Sequence, residues 1–207
     1  DATRPGQALH GFFDWIANGC PVPDLISLLR AGLVRLDEPI GDEDDPAGSL
    51  DSTRAATLLA ETRYPDDCRD YAQTFFAWTD RLDSEAEDIE TSVDAPWGAD
   101  ECRQLREKRA AVDTLANVVH DLLQSAQMAT RTAVRPIDLA EGAETFLEEY
   151  GPTPKPTDPE EERTPDEAAR NRLIERLRAV SDRDAPASLP APRWARRMKT
   201  WMGLSPY

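Results

Sequence analysis

A chain of 207 residues can bury a core without disulfides or metals to staple it. Its 40 acids against 24 bases give a formal charge of −16, and a surface so charged repels phosphate, which argues against non-specific nucleic-acid binding by most of the molecule. No apolar run approaches the roughly 18–20 residues of a membrane span. The three cysteines, Cys20, Cys68 and Cys102, fall in neither a metal-site nor a disulfide spacing. With no signal-peptide pattern at the start, the expected compartment is the reducing cytoplasm.

The first predicted helix covers residues 6–18, with Leu9, Phe12, Phe13 and Ile16 on one face and Gly19 placed to take the left-handed position after its end. A second begins near Pro23 and turns Leu25, Ile26, Leu28, Leu29 and Leu33 to one side. Residues 37–51 hold seven acids, no base and two prolines, which reads as an exposed loop. A third helix is predicted from Ser52 to Arg63.

The fourth, over 66–91, places Cys68, Tyr71, Phe75, Trp78, Leu82, Ala86 and Ile89 at steps of three and four, a helical seam. The fifth, over 99–134, repeats Leu105, Val112, Val119 and Ala126 every seven residues, with Leu115, Leu122 and Ala129 in the second heptad position. Ala116, Val118 and Leu123 widen this stripe, which favours a buried bundle helix over a coiled coil. Pro136 is expected to end it. A shorter helix follows over 137–150.

Residues 151–165 contain five prolines and almost nothing apolar, the composition of an extended linker. Thr164 and Glu167 then form a capping box around Pro165, opening a helix over 165–182 with a narrow stripe of Ala169, Leu173, Ile174, Leu177 and Val180. A second proline-rich stretch, 185–192, leads into the tail. No segment alternates with period two over strand length. The expected fold is all-α: an antiparallel acidic bundle of five to six helices in residues 1–150, a proline-rich linker over 151–164, a tethered helix over 165–183, and a proline-rich spacer with a basic amphipathic tail over 184–207.

That tail inverts the charge of the chain. Residues 185–207 hold four bases and no acid, so removing their +4 from −16 leaves −20 on the rest. On a helix over 193–204, Trp194, Met198, Trp201 and Met202 share one side, while Arg193, Arg196, Arg197 and Lys199 lie mostly around the other. Burying two tryptophans does not offset the entropy of ordering twelve backbone residues, so the segment needs a surface. The surface is either the acidic body or a partner protein, the spacer being suited to a tethered recognition helix; an anionic membrane is a weaker candidate. Trp194, Arg196, Arg197, Met198, Lys199, Trp201 and Met202 are the candidate partner-binding residues.

Reactive constellations are sparse. His120-Asp121 resembles the metal-binding pair of HD-type phosphohydrolases, but the only other histidine, His10, is 110 residues away. Glu87 and Glu90 resemble the first carboxylate pair of all-α nucleotide pyrophosphohydrolases, without the second pair downstream. Residues 25–39 resemble the end of a recognition helix and the following turn in winged-helix regulators, followed by a segment of the wrong charge for phosphate. Phosphate loops and nucleophile elbows are missing, and Cys20 is the most nucleophile-like thiol only by its local setting. The leading expectation is a non-enzymatic adaptor, scaffold or assembly factor that docks a partner through its C-terminal segment, with no cofactor and no metal. The alternatives are a metal-dependent all-α hydrolase, an accessory subunit of an enzyme, or a winged-helix-like regulator.

Overall fold

The computed structural model describes residues 3–39, 49–61, 71–91, 98–128, 133–152, 164–181 and 189–204. The protein is mostly helical, as the periodicities predict. Its elements are α1 (Arg4–Ala17), α2 (Val22–Arg30), β1 (Asp37–Pro39), β2 (Ser49–Asp51), α3 (Ser52–Glu61), α4 (Tyr71–Thr91), α5 (Gly98–Ser125), α6 (Pro136–Glu149), α7 (Pro165–Ser181) and α8 (Ala191–Met202).

The hub is α1, which packs against α2, α6, α7 and α8. Because it is wrapped from several sides, burial extends beyond the predicted face. Leu9, Phe12, Phe13 and Ile16 are buried, and so are Ala8, Trp15 and Ala17. Phe12 stacks on Phe146 of α6, with ring centroids 4.2 Å apart. Trp15 satisfies its indole N–H by donating to Pro21 O at 3.1 Å, closing the turn into α2. Gly19 takes the expected left-handed position with φ +86°. The Gly19 and Cys20 amides return to Ile16 O and Trp15 O, the paired bonds of a Schellman end.

A long hairpin of α4 on α5 forms the second part of the body. Phe75, Trp78 and Leu82 face Val112, Leu115, Val119 and Leu122 as a continuous buried seam. Arg109 bridges to Asp83 at 2.9 Å along its rim. Truncating Leu122 to Ala removes most of a fully covered side chain, and thermal or denaturant unfolding should record a loss of about 2–5 kcal/mol. An unchanged melt would place this stripe in solvent.

Two features depart from the sequence reading. The acidic stretch 37–51 holds two short antiparallel strands, with Glu38 opposite Leu50. They are too short to show alternation, and a side chain clasps them. Ser52 Oγ donates to Val34 O at 2.8 Å and accepts from the Leu36 amide at 3.0 Å. Helix α5 ends at Ser125 rather than near 134. Gln127 turns left-handed at φ 55°, and the Gln127 and Met128 amides bond Gln124 O and Leu123 O, a Schellman end made without glycine. The chain must turn there because α6 crosses immediately: a Cβ on Gly142 would stand 1.9 Å from Ser125 O. Pro136 therefore opens α6 instead of terminating α5. Helix α7 lies against α6 and α1, with Ala169, Leu173, Ile174 and Leu177 buried. Its narrow stripe finds cover on the same chain.

The capping box of α7 forms as read: the Thr164 amide donates to Glu167 Oε2 at 2.7 Å and the Glu167 amide to Thr164 Oγ1 at 3.3 Å. Residues 153–163 of the linker expected over 151–164, Lys155 and Arg163 among them, lie outside the described residues, as do Cys68, the spacer residues 182–188 and residues 205–207.

Candidate docking site of the C-terminal helix

Helix α8 begins after Pro190, whose ring suits a helix start. It ends at Gly203, which adopts φ 64° while the Gly203 and Leu204 amides bond Thr200 O and Lys199 O. Only a residue tolerant of the left-handed region closes the helix this tightly, and closure turns Leu204 back into the core.

The helix lies mainly on α1, with further contacts to α6 and α7. Its apolar edge is Ala191, Trp194, Ala195, Met198 and Met202, all buried. Trp194 is the anchor: fully enclosed, it donates its indole N–H to Val134 O at 3.0 Å. Residue 134 also exchanges both backbone bonds with Leu189, at 2.9 and 3.3 Å, as an isolated antiparallel bridge. The start of α8 is thus fastened at the α5–α6 junction, 60 residues away in sequence.

Polar groups fix the register. Arg196 donates to Ala17 O at 3.1 Å, at the C-terminal end of α1. That end has no base of its own in the last turn, so Arg196 supplies the cation that the exposed carbonyls favour. Lys199 pairs with Asp14, 185 positions earlier. The other oxygen of Asp14 meets His10 Nδ1 at 3.0 Å, one turn back on α1. A carboxylate only accepts, so Nδ1 carries the proton, and Nε2 is buried with no hydrogen-bond partner among the described residues. Burial, and next the charge of Lys199, hold the His10 pKa below its ordinary value against the opposing pull of Asp14.

The seven predicted residues therefore divide. Trp194, Met198 and Met202 form the seated edge. Lys199 and Arg196 tie that edge to α1. Arg197 is exposed, with its guanidinium 5.3 Å from the Trp194 ring centroid, and Trp201 is half-buried, its ring 5.7 Å from that of Trp194. Arg193, on the same side as Arg197, is exposed. Among the described residues no carboxylate pairs with Arg193 or Arg197. The sequence exposed the two-sided character of α8 but could not show Asp14, His10, Ala17 and Val134, which reach α8 only through the fold.

The other chemical candidates lie apart. His120 is exposed and pairs with Gln124 at 2.7 Å. Glu87 is exposed, and Glu90 is engaged by Arg106. Cys20 is a buried thiol. The Cys102 thiol, also buried, contacts Ala86 O at 3.5 Å. The outward face of α2 offers Asp24, Ser27 and Arg30, a set of mixed charge. Among the described residues no three His, Cys, Asp or Glu side chains are grouped to hold a metal ion, and no described helix is long and apolar enough to cross a membrane. No protein-family model, no curated protein and no solved structure matches the chain.

Proposed function

We propose that the chain is a non-enzymatic helical interaction protein, an adaptor, scaffold or assembly factor, with α8 as its docking element. One observation carries the reading: the two edges of α8 are separately assigned. The apolar edge is seated on α1, while Arg193 and Arg197 point outward beside the half-buried Trp201 with no carboxylate among the described residues paired to them. Arginine and tryptophan are the residue types that most often anchor protein interfaces. On a chain of −16, this small basic stripe fits an acidic protein surface confined to α8, because a broad anionic surface would also meet the acidic body. Undocking α8 would add Trp194, Met198 and Met202 to what is offered, in the manner of an amphipathic helix laid in a groove.

The test is a paired charge reversal, Arg193→Glu with Arg197→Glu. Both side chains are exposed, and the loss of the Arg197 contact with the Trp194 ring costs about 0.5–1 kcal/mol, so the variant should stay folded with a stability change of about 1 kcal/mol. Like charges placed across an interface cost several kcal/mol, which corresponds to an affinity loss of about a hundredfold or more. Wild type and variant are purified with their bound material and compared by mass spectrometry. A species held by the wild type and lost from a variant that stays folded supports the reading. Identical bound material in both contradicts it.

A further inference from the structure

We propose that His10, Asp14 and Lys199 form a proton-sensitive latch that holds α8 on α1 at neutral pH and loosens it as the solution becomes acidic. This rests on the reading of α8 as the docking element only for its biological use; the latch itself concerns one helix and its seat.

The geometry is a shared carboxylate. Asp14 gives one oxygen to Lys199 of α8 and the other to His10 Nδ1, 3.0 Å away. The imidazole is largely enclosed, with 15% of its side chain exposed. Its second nitrogen is buried and has no hydrogen-bond partner among the described residues. A neutral ring tolerates this, because a bare lone pair carries no charge. A second proton would have to sit at Nε2, as a buried donor without an acceptor, on a cation packed near Lys199. Among the described residues the charged groups acting on the ring are Asp14 from its own helix and Lys199 from α8. Among the described residues, α2, α6 and α7, which also pack on α1, contribute none.

The sign follows from where protons bind. Docked, the His10 pKa lies below its ordinary value of 6.5. Undocked, the ring meets water and regains that value. The undocked state therefore binds protons first as the pH falls. Docking is fully favoured above about 6.5, and it weakens from there down through the docked pKa. Once His10 is charged, it also competes with Lys199 for Asp14.

Hydrogen exchange on the full chain at pH 7.5, 6.5 and 5.5, corrected for the intrinsic pH dependence of amide exchange, tests this. In the wild type, protection of peptides from 191–202 should fall toward pH 5.5 while peptides from α5 keep theirs. In His10→Gln, which keeps a donor for Asp14 and cannot titrate, protection of α8 should be flat across the range. Unchanged α8 protection in the wild type overturns the latch, as does the same loss in His10→Gln or a parallel loss in α5. A proton NMR titration of His10 in the wild type gives an answer that needs no variant: a midpoint at or above 6.5 also overturns it. Failure here leaves the bound-material comparison of the Arg193 and Arg197 variant untouched, and failure of that comparison leaves the latch untouched.

Discussion

Replacing Trp194 with Ala should be the most damaging single change in the C-terminal region. The side chain is fully buried and hydrogen-bonded, and truncating a buried tryptophan costs about 3–5 kcal/mol. For a chain of this size each kcal/mol lowers Tm by about 2–4 °C, so a drop of about 6–20 °C is expected. Val134 O would keep the Leu189 amide as a donor, so the loss is chiefly one of packing. Trp201→Ala is the control: that ring is only half-buried, and the cost should be well below that of Trp194→Ala. Calorimetry of the two variants checks the order. Equal and small shifts would mean that α8 does not contribute to the folded body.

Gly142→Ala should also destabilise, against the usual preference. In an open helix interior, alanine is favoured over glycine by about 1 kcal/mol. At 142 the added methyl would stand 1.9 Å from Ser125 O and 2.8 Å from Ser125 C. These are backbone atoms at the end of α5, and no side-chain rotation clears them. Either α6 lifts away or the Schellman end of α5 opens. Overpacking of this kind costs about 1–3 kcal/mol or more, enough to reverse the sign of the propensity gain. Urea unfolding reads the result directly. A stabilised variant would mean that the two helices do not approach as closely as described.

How much of this was legible in the sequence differs from element to element. The seam of Phe75, Trp78 and Leu82 with Val112, Leu115, Val119 and Leu122 was readable because one face of each helix is apolar and the other charged. The Thr164–Glu167 box and the Gly19 cap were readable because each is a local device within four residues. Trp15 escaped because a stripe argument assumes one solvent-facing side, and α1 is wrapped by several neighbours. The end of α5 escaped because Gln127 is not a residue type that announces a left-handed turn. Its cause, the passage of Gly142 over Ser125, is a tertiary contact. For the candidate site, the division of α8 into apolar and basic edges followed from helical period alone. The identity of its seat did not, because Asp14 with Lys199, Ala17 with Arg196 and Val134 with Trp194 are all pairs far apart in sequence, joined only once α1, α5 and α6 are in place.

The proposed docking element and the latch both depend on α8 resting against α1 of its own chain through the Lys199–Asp14 pair. The sequence has only three lysines, which makes zero-length carbodiimide crosslinking unusually decisive. The two among the described residues each have a carboxylate in place: Lys199 with Asp14 and Lys108 with Glu61, the latter at 2.6 Å. Peptide mass spectrometry of the crosslinked protein should recover both links. With a mixture of isotopically light and heavy chains, each link should join light to light or heavy to heavy, as an intramolecular bond requires. Recovery of Lys108–Glu61 without Lys199–Asp14, or a Lys199–Asp14 link that joins light to heavy, would contradict the placement of α8 on its own body.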